Sequence, residues 1–73
     1  MLARIERQDG EEDLWTEADG CAVYILSGIQ DKRRAASIRD WFKKLFNCKA
    51  TAAPFAEGKI VRHVVKITFA PKE

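Results

Sequence analysis

Hydrophobic and polar residues follow two different periods along this chain. They alternate with a period of two near both ends, which is typical of strands with one buried face. In the middle the period is three to four, which is typical of an amphipathic helix. We therefore predict an α+β fold in the order βββαββ, a two-layer sandwich with one helix on one face of a mostly antiparallel sheet of four or five strands. The predicted single domain, 1–73, divides into a meander over 2–27, a helix over 29–47 and a hairpin over 48–69.

Two Asp-Gly pairs mark the turns of the predicted meander. A type I′ turn needs positive φ at both central residues, and Asp-Gly meets this need well. Asp9-Gly10 and Asp19-Gly20 each separate two β-prone runs. Folding each hairpin about its turn predicts these opposite pairs: Ile5 with Leu14, Arg4 with Trp15, Leu14 with Ile25, Trp15 with Tyr24, and Thr16 with Val23.

The alternation within the meander sorts its side chains onto two faces. One set is the more uniformly aliphatic, so we predict that it faces the helix. The other set is then expected on the open face of the sheet. The aliphatic set is Ile5, Leu14, Val23 and Ile25, and the open set includes Arg4, Trp15 and Tyr24.

The middle segment has the pattern of a helix with one apolar side. A capping box that begins at Ser27, or Asp31 as the alternative N-cap, marks its start. Its basic residues lie opposite the apolar stripe, which is typical of a solvated helix surface. The stripe consists of Ala35, Ile38, Phe42, Leu45 and Phe46, and the basic surface includes Lys32, Arg33, Lys43 and Lys44.

The C-terminal segments form a second predicted hairpin, which turns near Glu57-Gly58. Pro54 has no N–H to donate, so its strand suits the edge of the sheet. The last strand alternates clearly, with one set of side chains towards the helix and the other towards the open face. The helix-facing set is Val61, His63, Val65, Ile67 and Phe69, opposite Cys48, Ala50 and Ala52, and the open set includes Arg62, Val64 and Lys66.

Composition supports a folded chain and reveals a separation of charge. Hydrophobic residues make up 47% of the 73 residues and charged residues 33%, which is typical of globular domains. The formal net charge of +2 combines seven acids and two bases in 1–20 with four acids and eleven bases in 21–73. An acidic pole and a basic pole can steer a charged partner or a second copy of the chain.

Residues that could carry catalysis or hold a metal are few. His63 is the only histidine, and Cys21 and Cys48 do not form a C-x-x-C pair. One histidine and two separated cysteines are too few for a typical zinc site, and they do not suggest a nucleophile with its base. We therefore expect no enzymatic activity, no cofactor and no metal. No apolar run is long enough for a membrane span, and two thiols are typical of a reducing, cytoplasmic setting, with a single disulfide as the alternative.

The open sheet face is the main candidate for function. Its aromatic, apolar and basic side chains suit a protein partner or a homo-oligomer, so we predict a non-enzymatic protein-interaction or self-associating module. The alternative prediction is single-stranded nucleic acid, with rings stacked on bases and cations on phosphates. A third interpretation is that 49–58 folds over this face and buries it. The predicted partner contacts are Arg4, Trp15, Tyr24 and Val64, and the nucleic-acid contacts of the alternative are Arg33, Arg34, Lys44, Arg62 and Lys66.

Part of the chain, 23–61, resembles the core of the eukaryotic initiation factor one family, which binds the small ribosomal subunit. The resemblance covers about half of the chain. Lys49-Ala50 stands where that family has a glycine pair, and the family's second helix is missing, so we transfer no function. The features that carry the resemblance are the strand from Val23, Gly28, the helix, Leu45 with Cys48, and the strands around Gly58.

Overall fold

Four strands and one helix make up the part of the chain that the computed structural model describes, residues 7–71. The elements are β1 (Glu12–Ala18), β2 (Cys21–Ile29), α1 (Lys32–Leu45), β3 (Cys48–Glu57) and β4 (Ile60–Phe69). All neighbouring strands are antiparallel and form one sheet in the order β1-β2-β4-β3. The predicted α+β class is confirmed. Most of the strand predicted over 2–8 lies outside the described residues.

The β1–β2 hairpin has the predicted turn and register. Asp19 (φ 52°) and Gly20 (φ 79°) both have positive φ, as a type I′ turn requires. In the first Asp-Gly pair, Gly10 has positive φ but Asp9 does not, so that turn is not of type I′. The predicted pairs of Ile5 and Arg4 lie outside the described residues. The remaining predicted pairs are all present: Leu14 with Ile25, Trp15 with Tyr24, and Thr16 with Val23.

One extra residue in β2 changes the side that its last residues face. Leu26 lies opposite Val65, whereas Ile29 lies opposite His63, so a bulge separates the two pairs. Gly28, with φ 77°, has the backbone conformation that such a bulge favours. The bulge turns Ile29 to the same side as Leu26, and both side chains are buried there.

The helix lies on the side of β2 that was predicted to be open, and it does not contact β1. Tyr24 and Leu26 belong to the core beneath α1, and Tyr24 is only 4% exposed. The predicted core face of the meander was therefore wrong. The reason is the pairing with β4: Tyr24 lies opposite Ile67, so the aromatic side of β2 continues the side of β4 that faces the helix. The residues predicted to face the helix and found on the opposite face are Leu14, Val23 and Ile25.

This side of the sheet, called here the covered face, contains the main core. α1 packs mostly on β3 and β4. Alanines of β3 lie on this side, and their small side chains allow the helix to approach the sheet closely. The core consists of Tyr24, Leu26 and Ile29 of β2, Ala35, Ile38 and Phe42 of α1, and Val65 and Ile67 of β4.

The helix is shorter than predicted, over 32–45 rather than 29–47. Asp31 is its N-cap, and the Asp31 Oδ1 atom accepts the backbone N–H of Arg33 at 2.9 Å. The capping box at Ser27 was wrong, because Ser27 remains in β2. Asp31, which the sequence offered as the alternative, is the residue that starts the helix.

Candidate interaction surface

The side of the sheet opposite α1, called here the uncovered face, is the candidate functional surface. Side chains of paired residues in an antiparallel sheet point to the same side, so the strand register assigns its members. Within 7–71 no helix or further strand packs against it. Its members include Glu12, Leu14, Thr16, Val23, Ile25 and Ser27 on β1 and β2, and Lys49, Thr51, Ala53, Phe55, Glu57, Ile60, Arg62, Val64, Lys66 and Thr68 on β3 and β4.

Apolar side chains on the uncovered face are exposed at its margins. Leu14 on β1 is 58% exposed and Phe55 on β3 is 57% exposed. Ile25 and Val64, on the two central strands, are partly buried, and Val23 is buried. These side chains form a diagonal apolar strip from β1 to β3, with Lys66 opposite Ile25 and Arg62 opposite Phe55.

Three cations share the uncovered face with this apolar strip. Lys49 lies opposite Thr68, Lys66 opposite Thr51, and Arg62 opposite Phe55. The ion pairs of the described chain involve other cations, so these three have no acidic partner within 7–71. Glu57 is the one acidic side chain that β3 and β4 place on this face, so their half keeps an excess of cations, whereas the β1 margin carries the carboxylate of Glu12.

β3 and β4 extend beyond the rest of the sheet as a two-stranded arm, 55–62. The described pairing of β4 with β2 does not include the first three residues of β4. Phe55, Ile60 and Val61 of the arm are each more than half exposed. An arm with exposed apolar side chains on both sides has little to pack against within its own described chain.

A buried ion pair joins the start of β1 to the helix. The Arg34 Nε atom donates to Glu11 Oε2 at 2.7 Å, and Arg34 Nη2 donates to Glu11 Oε1 at 2.9 Å. The Glu11 side chain is 1% exposed and also accepts the backbone N–H of Gln8 at 2.9 Å. The hydrogen bonds from Arg34 lower the pKa of Glu11 despite the opposing effect of burial. Sequence reasoning missed this pair, because the partners are 23 residues apart and no periodicity links them.

The predicted aromatic contacts do not lie on the uncovered face. Tyr24 is in the core, and its hydroxyl donates to Asp13 Oδ2 at 3.1 Å. Burial, together with this hydrogen bond, raises the pKa of Tyr24 to about 12. Trp15 is 45% exposed at the rim of the covered face, with its ring 4.8 Å from that of Tyr24. The prediction that these two rings lie on the open face was therefore wrong. Of the other predicted partner contacts, Val64 does lie on the uncovered face. Arg4 lies outside the described residues.

The predicted nucleic-acid contacts are divided between two layers. Arg62 and Lys66 lie on the uncovered face, as the alternation predicted. Arg33, Arg34 and Lys44 belong to α1, on the other side of the sheet. Arg34 is also held by the buried carboxylate of Glu11. A single strand of nucleic acid that lies on the uncovered face therefore cannot also contact the cations of α1.

The surroundings of Cys48 favour a packing role over a reactive one. Cys21 and Cys48 are not joined, and both line an open cavity of about 330 Å³ at one end of the sheet. Burial raises the pKa of Cys48, whose Sγ lies 3.4 Å from the carbonyl oxygen of Phe42. A raised pKa disfavours the nucleophilic thiolate. Within 7–71 there is no cluster of three or more His, Cys, Asp or Glu side chains suited to a metal ion.

No protein-family model, curated protein or solved structure matches the chain. No helix in the described part has the length and apolar character needed to cross a membrane. Functional inference therefore rests on the surfaces of the molecule itself.

Proposed function

We propose that this chain is a non-enzymatic protein-interaction module that self-associates through the uncovered face. The observation that carries the proposal is the exposure of Leu14 and Phe55 on a sheet face that α1 does not cover. Large apolar side chains grouped on one surface are typical of protein contacts. A second copy of the chain is the partner that brings a complementary surface by symmetry.

The size of the uncovered face suggests a weak dimer. Four strands spaced about 4.8 Å apart, taken at the seven-residue length of the shortest strand, β1, give a flat area on the order of 450 Å². Stable interfaces bury about 800 Å² on each partner. We therefore expect association that depends strongly on protein concentration.

Leu14 and Leu45 provide a matched pair of variants for testing the proposal. Leu45 is 55% exposed, close to the value for Leu14, but it lies on α1 in the other layer. Sedimentation equilibrium over a range of concentrations gives the dissociation constant of each variant. We expect Leu14→Gln to raise the dimer Kd at least about tenfold and Leu45→Gln to leave it unchanged. A wild-type chain that stays monomeric at the highest concentration would overturn the proposal, as would equal effects of the two variants.

Single-stranded nucleic acid is the second candidate, because Lys49, Arg62 and Lys66 share the uncovered face without acidic partners in 7–71. Phe55 adds one exposed ring beside Arg62, on which a base can stack. Fluorescence anisotropy with a labelled single-stranded oligonucleotide at several salt concentrations tests this function. Binding weakens as salt rises, so log K plotted against log salt has a negative slope. Replacing Arg62 and Lys66 by Ala should make this slope less negative by roughly 1.4, at about 0.7 for each lost contact. The control replaces Arg33 and Lys44 on α1, and no binding at low salt would remove the candidate.

We also propose a reducing, cytoplasmic setting for the chain. Both Cys21 and Cys48 are free thiols, which suits such a compartment. Titration with a thiol reagent, on denatured protein that was purified without reductant, should find both thiols free. A disulfide between the two cysteines in that protein would contradict the proposed setting.

A further inference from the structure

We infer that two copies of this chain pair about a twofold axis, with Leu14 against Phe55 and Glu12 against Arg62 of the other copy. The inference rests on the proposed self-association and names its contacts. All four side chains lie on the uncovered face. Each copy contributes both halves of the contact, so the same pairs form twice.

The spacing of the two contact pairs supports this arrangement. Glu12 and Leu14 lie two residues apart on β1, which separates them by about 7 Å. Arg62 and Phe55 are cross-strand partners on the arm, which places their Cβ atoms about 5 Å apart. Each pair combines one charged and one apolar side chain at similar separation. Glu12 and Leu14 of one copy can therefore contact Arg62 and Phe55 of the other copy at the same time.

The position of the arm makes the contact accessible. Phe55 and Arg62 lie where β3 and β4 extend beyond β2, so the neighbouring strands do not hide them. Leu14 and Glu12 lie on β1, at the opposite side of the described sheet. A twofold axis that lies in the interface, parallel to the uncovered face, places each of these regions against the other region of the second copy, which is the condition for an isologous interface.

Charge favours a second copy in this orientation. Among the described residues neither Glu12 nor Arg62 has an ion-pair partner of its own. On the uncovered face β1 presents the carboxylate of Glu12 and no basic residue, since Asp13 and Glu17 lie on the other side of the strand. Opposite charges across an interface fix its orientation, and like charges placed opposite each other disfavour it.

A charge exchange tests the inference. Arg62→Glu places a carboxylate against Glu12 of the other copy, and Glu12→Arg places a cation against Arg62. We expect each variant alone to raise the dimer Kd at least about tenfold in sedimentation equilibrium. In the heterodimer of an equimolar mixture, Glu12 of the Arg62→Glu chain meets Arg62 of the Glu12→Arg chain, and the two introduced charges form the second pair with exchanged signs. We therefore expect the mixture to dimerise with a Kd close to that of the wild type. Circular dichroism checks that each variant is folded.

The outcomes distinguish this inference from the proposed function. If Leu14→Gln weakens the dimer while both charge variants associate like the wild type, self-association stands and the Glu12–Arg62 contact is overturned. If both charge variants weaken the dimer but their mixture does not restore it, the contact is also overturned. A wild-type chain that is monomeric throughout overturns both. A monomer that binds a single-stranded oligonucleotide through Arg62 assigns the face to nucleic acid instead.

Discussion

The covered and uncovered faces of the sheet both carry large apolar side chains, but α1 packs on only one of them. On the covered face Leu26, Val65 and Ile67 have no appreciable exposure, whereas on the uncovered face Leu14 and Phe55 are more than half exposed. α1 and the alanines of β3 meet on the first face, and no described element meets the second. Apolar alternation alone therefore does not decide which face of the sheet becomes the core.

The aromatic rings make the same distinction. The ring of Phe42 lies 5.9 Å from that of Tyr24, 5.6 Å from that of Phe46 and 6.0 Å from that of Phe69. Phe55 takes part in none of the ring contacts of the described chain. One face is therefore stabilised by a connected group of rings, and the other offers a single ring to a partner.

Replacing Phe42 and Phe55 separately by Ala should give the largest contrast between the two faces. Phe42→Ala leaves a cavity in the core, so we expect the free energy of unfolding to fall by about 3–5 kcal/mol. Phe55→Ala removes an exposed side chain, so we expect a change within about 0.5 kcal/mol. Urea unfolding at low protein concentration measures both. Similar losses for the two variants would show that Phe55 is also packed in the monomer.

Replacing Gly28 tests the bulge that turns Ile29 onto the covered face. A Cβ at Gly28 would lie 2.1 Å from the carbonyl oxygen of Gly10, and φ there is +77°. We expect Gly28→Ala to lower the free energy of unfolding by about 3 kcal/mol, from backbone strain and overpacking together. Gly20 is the matched control, because its φ is +79° but nothing lies within 4 Å of an added Cβ. Gly20→Ala should cost about 1 kcal/mol, and equal losses would mean that the close approach of Gly10 is unimportant.

Replacing Glu11 tests the ion pair that fixes the start of β1 against α1. Glu11→Gln removes a buried charge from Arg34, so we expect a loss of about 2 kcal/mol at neutral pH. The pKa of Glu11 is lowered in the folded state, so its stabilising effect is present above the unfolded pKa near 4.5 and is lost as pH falls through the folded pKa. Wild-type stability should therefore fall more steeply below pH 4.5 than that of Glu11→Gln.

The exposed pair of Arg39 with Asp40 is the control for this ion pair. Asp40→Asn removes a surface carboxylate next to Arg39. Water already screens the attraction between these two charges. We expect no measurable change in the urea midpoint at neutral pH. A loss equal to that of Glu11→Gln would mean that burial does not distinguish the two pairs.

Local patterns were sufficient to predict much of the fold. The Asp19-Gly20 turn fixed the register of Trp15 opposite Tyr24, because a two-residue turn leaves one pairing. The period of the middle segment predicted that Ile38 and Phe42 face the sheet, and both are buried. These features depend on residues close together in the chain.

The choice of the covered face could not be predicted in the same way. Both sides of β2 are apolar, and the decision depends on which residue of β4 lies opposite Tyr24, a contact between distant parts of the chain. Gly28 within an apolar strand was a signal for the bulge. The Glu11–Arg34 pair had no sequence signal of comparable strength. The uncovered face was therefore predicted correctly on β4 and wrongly on β1 and β2.

Titration of Tyr24 tests most directly which side of β2 faces the helix. The chain has one tyrosine, so the ultraviolet absorbance of the phenolate reports this residue alone. Because burial raises its pKa to about 12, folded-state stability should fall as pH rises above the ordinary value of 10, and the phenolate should form near pH 12 or together with unfolding. Circular dichroism followed in parallel detects that unfolding. Ionisation centred near pH 10 in a chain that is still folded would place Tyr24 in solvent and contradict the assignment of the two faces.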